Sequence, residues 1–195
     1  MAIRNIREAG DPILRKISKP VKEITPRVTE LIEDLIENMH EADGVGMAAV
    51  QVGVLKRIAV VWVPEPAEDE EAEAAEETEE TGEAPDASET KAETDDLSHS
   101  FGKEIVMINP VWEEIGDEMQ TGNEGCLSVP GKYGEVTRPE HILLRAYDEN
   151  MDYYEREATG LLARAICHEC DHMDGILYID KVEGELKDSS QDEED

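Results

Sequence analysis

The chain has 195 residues, and 49 acidic side chains against 18 lysines and arginines give it a formal net charge of −31. This charge argues against direct nucleic-acid binding, because phosphate recognition needs a basic face. No apolar run approaches the roughly 18 residues of a membrane span, and Met1–Asn5 lacks the apolar core of a signal peptide. Since no run could span a membrane, we expect no membrane partner. Three cysteines are an odd number and too few for a disulfide scaffold, so we expect a reducing, cytoplasmic setting.

The acidic residues are concentrated in one segment, 64–100, which holds sixteen Asp or Glu and a single lysine. From 65 to 96 it contains no Val, Ile, Phe, Tyr or Trp, so it cannot bury enough apolar surface to offset its ordering entropy. We therefore expect a disordered insertion that interrupts a single domain over 1–182. Residues 183–195 form an acidic tail, and we expect its end from Lys187 onward to fray.

The first clear element is an amphipathic helix that follows an irregular lead-in over 3–24. Thr25-Pro26 supplies an N-cap residue and a proline for the first turn. Apolar residues then recur at helical spacing up to Asp43-Gly44, which ends the helix, and this stripe predicts a core-facing side. The stripe consists of Val28, Leu31, Ile32, Leu35, Ile36 and Met39.

Later segments have the composition of strands. The predicted strands lie at 57–63, 104–109, 135–148, 152–158 and 176–179, with a loop or short strand at 122–131. Pro110 should break or bend the second of them, and the turn Asp148-Glu149-Asn150 predicts a hairpin between the third and fourth. Together with the helices these strands predict an α+β fold, in which small antiparallel or mixed sheets pack around a central metal-binding helix beside one N-terminal amphipathic helix.

The glycine-rich stretch Gly44–Gly53 is ambiguous by itself. It lacks the G-K-[ST] of a phosphate loop, which argues against nucleotide binding. Its small residues surround one polar side chain, Gln51, which in isolation is more often a satisfied core amide than a functional group.

The central helix is predicted over Leu161–Met173 and carries H-E-x-x-H. At about 100° per residue, positions four apart differ by only about 40° around a helix axis, so His168 and His172 share a face and can reach one metal ion. Glu169 flanks that face and can reach a metal-bound water. Two ligands and one base at this spacing are typical of a catalytic metal site.

A catalytic site of this kind usually needs a third protein ligand and one open position. Cys167 and Cys170 fall about 100° and about 160° from His168 around the helix, away from the ligand face, which favours packing roles. Cys126 lies outside the helix, in a loop flanked by glycines, and can approach from another direction. Many carboxylates also remain candidates.

Three stretches in this order resemble the bacterial type of the peptide deformylase family. They are G-V-G-M-A-A-V-Q at 44–51, E-G-C-L-S at 124–128 and H-E-C-D-H at 168–172. The resemblance covers about 1–63 and 101–182, so the acidic insertion and the extreme tail lie outside it. It implies an enzyme that removes the N-formyl group from the N-terminal methionine of newly made polypeptides and releases formate.

The resemblance also implies one divalent metal ion, expected to be Fe(II), which Zn, Ni or Co can replace in purified protein. The implied metal ligands are Cys126, His168 and His172, and Glu169 is the implied general acid and base. The side chain of Gln51 and the backbone N–H of Leu127 are implied to bind the developing oxyanion.

The same resemblance names the residues that meet the substrate. Gly46 belongs to the implied substrate-binding set, Arg138 matches an arginine near the substrate's peptide backbone, and Leu161 and Ala165 match positions that line the methionine pocket. The implied partners are N-formylmethionyl nascent peptides, with the ribosome as a candidate partner, and we expect a monomer.

The chain departs from the family pattern at a few positions. Cys167 stands where the family usually has Gln, Met47 replaces Leu, Val50 replaces Pro, and Tyr133 takes the place of an Arg found in some members. None of these changes removes an implied ligand or the base. Cys167 could alter hydrogen bonding around the ligands.

Two other functions compete with this hypothesis. A metallopeptidase would need a third His or Glu ligand downstream of His172, where Glu183, Glu185 and Glu193–Glu194 are available. A cation-binding scaffold would depend on the acidic segment, which lacks EF-hand spacing. Cys126 as third ligand and formate as product would distinguish a deformylase from both.

Overall fold

The computed structural model describes residues 3–64, 95–96 and 102–189. Helix α1 spans Pro26–Glu41 after an extended Thr25, with proline in its first turn, as the sequence predicts. Its apolar stripe is buried except for Ile36, which is partly buried. The helix ends where Asp43 adopts a left-handed φ of 50°, a conformation that Asp tolerates better than most residues.

In the described part of the chain nine strands form two sheets. The larger sheet has the order β1-β2-β4-β7-β8-β3, and the smaller has the order β5-β6-β9. All pairs are antiparallel except β3 with β8. The strands are β1 Gly46–Ala48, β2 Ile58–Trp62, β3 Asp95–Asp96, β4 Glu104–Glu114, β5 Met119–Cys126, β6 Val129–Pro139, β7 His141–Tyr147, β8 Tyr153–Thr159 and β9 Lys187–Asp188.

Helix α2, Gly160–Met173, follows β8 directly and lies at the centre of the molecule. Its apolar side packs on one face of the larger sheet, against Ala59 and Val61 of β2 among others. The opposite face of the same strand, with Ile58 and Val60, packs against α1. Side chains of a strand alternate between the two faces of a sheet, and both faces of β2 are covered. This explains why the sequence of β2 is a continuous apolar run. The predicted α+β class with small sheets around a central helix is confirmed.

Pro110 bends its strand rather than ending it. The pairing of β4 with β7 shifts register between Ile108 and Val111, and the strand continues to Glu114. Beside the proline, Asn109 has a φ of 52°, and its side chain exchanges two hydrogen bonds with the backbone of Val21, each 2.8 Å long. A β-bulge therefore accommodates Pro110. The hydrogen bonds between Asn109 and Val21 attach the N-terminal lead-in to the sheet.

Two predictions for the C-terminal part are wrong. The run Ile176–Ile179 does not form a strand, because a 3-10 turn over Tyr178–Asp180 is closed by the Asp180 carboxylate, which accepts from the backbone N–H of Leu177 at 2.9 Å. The tail is not frayed at Lys187–Asp188, because β9 pairs with Lys132 and Tyr133 of β6, and the rest of the predicted frayed end, 190–195, lies outside the described residues.

The predicted disorder of the acidic insertion falls mostly outside the described residues. Within it, Asp95–Asp96 forms β3, which pairs in parallel with Arg156 and Glu157 at the edge of the larger sheet. Among the described residues, no helix has the length and apolar character needed to cross a membrane.

Candidate metal centre and active-site cavity

Helix α2 presents the two predicted histidines on one face. Thr159 is extended and Gly160 has a φ of 54°, so the chain turns sharply from β8 into the helix. The rings of His168 and His172 then lie one turn apart, with centroids 4.9 Å from each other. His172 is fully buried, and 12% of the His168 side chain is exposed.

Cys126 reaches these histidines from the end of β5, where the register of the β5–β6 pair shifts between Gly125 and Cys126. Its Sγ lies 3.2 Å from Nε2 of His172. Ligand atoms of Cys126, His168 and His172 all lie within 4.8 Å of one another, and they form a group that could hold a metal ion. Of the third ligands that a metallopeptidase would need, Glu183 and Glu185 are exposed and do not belong to this group, and Glu193–Glu194 lie outside the described residues.

The chemistry of these three residues fits a divalent ion. One thiol and two imidazoles are typical nitrogen and sulfur ligands of a catalytic site. Burial and the neighbouring His168 lower the pKa of His172 well below its usual value, so its ring is neutral, as a metal ligand must be. Nδ1 of His168 lies 2.9 Å from Oε2 of Glu124, which directs the other ring nitrogen of His168 away from Glu124.

Glu169 lies beside the metal-binding group and is 4% exposed. Burial raises the pKa of its carboxyl to about 7, close to the value that suits proton transfer at neutral pH. Its Oε1 faces Gly46, where an added Cβ would lie only 2.5 Å from that oxygen. Within the described residues, Oε2 is buried and has no hydrogen-bond partner. Burial of a carboxylate oxygen without a hydrogen-bond donor costs free energy. We therefore expect a water or the substrate to donate a hydrogen bond to this oxygen.

Gln51 proves to be both a satisfied amide and a cavity residue. Its Oε1 accepts from the backbone N–H of Ala48 at 2.8 Å, which fixes the side chain. Its Nε2 donates to Oγ of Ser128 at 3.2 Å and lies 3.7 Å from Sγ of Cys126. The donor end of the amide therefore lies at the metal-binding group.

Cys126 and His168 of this group line a cavity of about 490 Å³, whereas the fully buried His172 is not part of the lining. Its lining includes most of the predicted site residues: Gly46, Gln51, Cys126, Leu127, Leu161, Ala165, His168 and Glu169. Leu161 is 49% exposed, whereas Ala165 is 5% exposed. The two apolar side chains lie one turn apart on α2, on the same side as His168 and His172.

Arg138, predicted to lie near the substrate's peptide backbone, is buried in a network of ion pairs. Arg138 does not line the cavity and is 2% exposed. Its Nε and Nη2 each donate to Glu124 at 2.9 Å, and its Nη1 donates to Asp171 at 2.5 Å. Through these ion pairs Arg138 on β6 is bound to Glu124 of β5 and to Asp171 of α2, and its contact with substrate stays a prediction.

The sequence reasoning missed Glu124, although it is the first residue of the E-G-C-L-S motif. Burial alone would raise the pKa of its carboxyl, but hydrogen bonds from Arg138 and His168 outweigh burial and lower the pKa to about 2. Glu124 is therefore a carboxylate that accepts from His168. It also accepts from Arg164, a further residue of the cavity lining that the sequence reasoning did not single out.

A cysteine and two histidines on one metal-binding group, with a buried glutamate beside them in a cavity, define a metal-dependent hydrolase. Comparison with known proteins gives the family. The model of the Polypeptide deformylase family matches residues 3–188. The chain belongs to the peptide deformylase family.

Individual relatives agree with this assignment. The chain is 45% identical over 197 residues to a peptide deformylase of Lachnoclostridium phytofermentans, a match that covers 100% of this chain and 99% of the relative. It is 46% identical over 188 residues to one of Agathobacter rectalis, covering 96% of this chain and 95% of the relative.

Solved structures show the same fold. A peptide deformylase from Ehrlichia chaffeensis matches with a TM-score of 0.76 and 33% identity, covering 93% of this chain and 89% of that chain. One from Thermotoga maritima matches with a TM-score of 0.72 and 31% identity, covering 94% and 100% of the two chains. The chain is therefore an enzyme of this family, and the scaffold hypothesis is not supported.

Proposed function

We propose that the cavity removes the N-formyl group from the N-terminal methionine of nascent polypeptides and releases formate. The observation that carries this proposal is the convergence of Cys126, His168 and His172 at a cavity that Glu169 also lines. In this proposal the three residues hold one divalent ion, which supplies Lewis acidity and a water of lowered pKa when bound.

Glu169 carries the proton in this reaction. Its Oε1 lies against Gly46 and its Oε2 is buried without a hydrogen-bond partner, and in this proposal the carboxylate meets the reacting water. With a pKa of about 7, the carboxyl can take a proton from the water and return it to the leaving amine nitrogen near neutral pH. The products are formate and a peptide with a free N-terminal methionine.

Two donors stabilise the oxyanion that develops on the formyl oxygen. Nε2 of Gln51 is held at the metal-binding group by the bond between Oε1 and the N–H of Ala48. Leu127 follows Cys126 directly in the chain and belongs to the cavity lining, and in this proposal its backbone N–H is the second donor. Each donor of this kind typically contributes about 10²–10³ in rate.

The apolar part of the cavity accepts the methionine side chain. Leu161 and Ala165 supply this wall from α2, and Gly46 supplies a stretch of backbone on the other side that the peptide can approach closely. Because Gly46 has no side chain, it leaves room both for the substrate and for the Glu169 carboxylate.

We also propose finer features of the enzyme. The physiological ion is Fe(II), since a thiolate ligand favours a soft, iron-compatible site. The three cysteines are free, which suits a reducing cytoplasm. The catalytic domain spans 1–182, acts as a monomer, and meets its formylated peptides at or near the ribosome.

A formate-release assay tests the proposal. Enzyme prepared anaerobically should release one formate per formyl-Met peptide, in proportion to its content of divalent metal, and should leave acetyl-Met peptides intact. Internal peptide bonds should survive, which separates a deformylase from a metallopeptidase. Metal-loaded protein that cleaves internal bonds, or releases no formate, would overturn the proposal.

A further inference from the structure

Arg164 lies on α2 one turn before His168 and has no role in the mechanism above. Its side chain is 8% exposed, and it reaches across to the smaller sheet. Nη1 lies 2.9 Å from both the backbone carbonyl of Val136 and Oε1 of Glu124, and Nη2 donates to the carbonyl of Gln120 at 3.0 Å. One guanidinium therefore binds both β5 and β6.

The structure makes room for this guanidinium. A Cβ at Gly122 would lie 3.3 Å from Nη2 of Arg164, so the absence of a side chain on β5 allows the close approach. An arginine that only covered the protein surface would not need a glycine opposite its guanidinium. Its planar set of donors matches several acceptors at fixed positions, which a flexible ammonium group cannot do.

Glu124 connects this contact to the metal-binding group. Its Oε1 accepts from Arg164 and from Nε of Arg138, and its Oε2 accepts from Nη2 of Arg138 and pairs with Nδ1 of His168. Arg164 and His168 are thus two points of α2 bound to one carboxylate of β5. Cys126 is only two residues further along that strand.

The three proposed ligands come from two elements that are not adjacent in sequence. His168 and His172 belong to α2, and Cys126 belongs to the end of β5. The distance between Cys126 and the two histidines therefore depends on how β5 packs against α2. We propose that Arg164 is a positioning residue, which fixes β5 and Glu124 against α2 and thereby sets the distance between the Cys126 thiolate and the two imidazoles.

Loss of Arg164 should disturb this geometry without leaving a bare buried charge. Glu124 would keep Arg138 and His168 as partners, so the fold should persist. The carbonyls of Gln120 and Val136 would lose a donor, and β5 would be freer to move relative to α2. Residues that orient metal ligands typically change metal affinity by about 10–100-fold when they are replaced.

The test compares Co(II) binding by wild type, Arg164→Met and Arg164→Lys. A matched control is Arg145→Met, since Arg145 pairs with Glu113 and Glu155 on the larger sheet, away from α2 and β5. Apoproteins are loaded anaerobically, the thiolate-to-Co(II) and d–d absorption bands are recorded, and affinity is measured by competition with a chromophoric chelator. Thermal unfolding of the apoproteins reports any general loss of stability.

We expect Arg164→Met to weaken Co(II) binding by about tenfold and to shift the absorption bands. Arg164→Lys should fall between Arg164→Met and wild type, and Arg145→Met should match wild type. Wild-type affinity and bands in Arg164→Met, or an equal change in Arg145→Met, would overturn the positioning role. If Arg164→Met does not fold, Arg164→Gln is judged by the same criterion.

This inference rests on the proposed metal site, and the two can fail separately. Wild-type protein that shows no thiolate-to-Co(II) band would refute the metal site itself. Wild type with the band, together with an unaltered Arg164→Met, would refute only the role of Arg164.

Discussion

Gly46 and Glu169 approach each other so closely that a methyl group between them would lie 2.5 Å from Oε1 of the carboxylate. Gly46 is not among the residues with positive φ, so the constraint at this position is space and not backbone conformation. We predict that Gly46→Ala displaces the Glu169 carboxylate. Since a misplacement of about 1 Å can cost about 100-fold in rate, kcat should fall by about that factor.

Formate release at saturating peptide measures this effect, with metal content and circular dichroism recorded on the same sample. Gly46→Ala should keep its metal, because the three atoms nearest to the added methyl group all belong to Glu169 and not to a ligand. Unchanged kcat would show that Glu169 can move aside without loss of function.

Glu169→Gln should keep the metal bound and lose deformylation, because only the group that carries the proton is removed. A general acid and base typically contributes about 10²–10⁴ in rate, so turnover should fall by at least about 100-fold. Glu118→Gln is a suitable control, since it removes one exposed carboxylate outside the cavity lining. Near-normal turnover by metal-loaded Glu169→Gln would refute the role assigned to Glu169.

The sequence predicted the centre of this site well because the constraint there is local. Helical spacing alone places His168 and His172 on one face, and the structure brings Cys126 to them as the motif order implied. The orientation of Arg138 could not be predicted in this way. Whether its side chain faces the cavity or the opposite side depends on Glu124 and Asp171, which belong to other elements.

The C-terminal segment is a second place where the sequence did not predict the structure. Ile176–Ile179 has β-forming residues, but the Asp180 carboxylate closes a turn there. Lys187–Asp188 has no β pattern, yet it pairs with β6 because that strand offers an open edge. Ser189 then reaches the cavity lining. Pairing with a distant strand outweighs local propensity at Lys187–Asp188, and a hydrogen bond from backbone to side chain outweighs it at Ile176–Ile179.

Replacement of iron by zinc should lower activity, and exposure to air should inactivate the iron form while sparing the zinc form. The reason is a redox-capable Fe(II) bound to the Cys126 thiolate, which follows from the proposed metal site. Apoprotein loaded anaerobically with either ion is assayed before and after aeration. Equal activity that is stable in air with both ions would contradict this prediction.

Gly175 should matter for stability more than for catalysis. It follows the end of α2 with a φ of 77°, and a Cβ there would lie 2.8 Å from the backbone carbonyl of Arg15. We predict that Gly175→Ala destabilises the fold by about 1–3 kcal/mol, measured by chemical unfolding. Gly116→Ala is the matched control, because Gly116 has a similar φ of 76° but nothing within 4 Å of its Cβ position. Equal losses in both variants would show that the contact with Arg15 adds nothing.

The last prediction concerns the acidic insertion, whose one described strand, β3, lies at an edge of the larger sheet. β3 and β1 are the two edges of the larger sheet, and Gly46 of β1 lines the cavity. Five strand spacings of roughly 4.8 Å put about 24 Å between these edges. No residue of the insertion belongs to the cavity lining in the described part of the chain.

We therefore predict that 66–98 are dispensable for folding and for catalysis on short peptides. Loop-closure entropy changes by only about 0.6 kcal/mol for each doubling of loop length, so a much shorter connection should be tolerated. The variant joins Glu65 to Ser100 through a short Gly-Ser linker, and formate release, thermal unfolding and oligomeric state are compared with wild type. A loss of more than about tenfold in activity, equivalent to about 1.4 kcal/mol of transition-state stabilisation, would show that the insertion belongs to the working enzyme. A chain that no longer folds, or that associates through the uncovered edge of β8, would show that β3 is needed to complete the sheet.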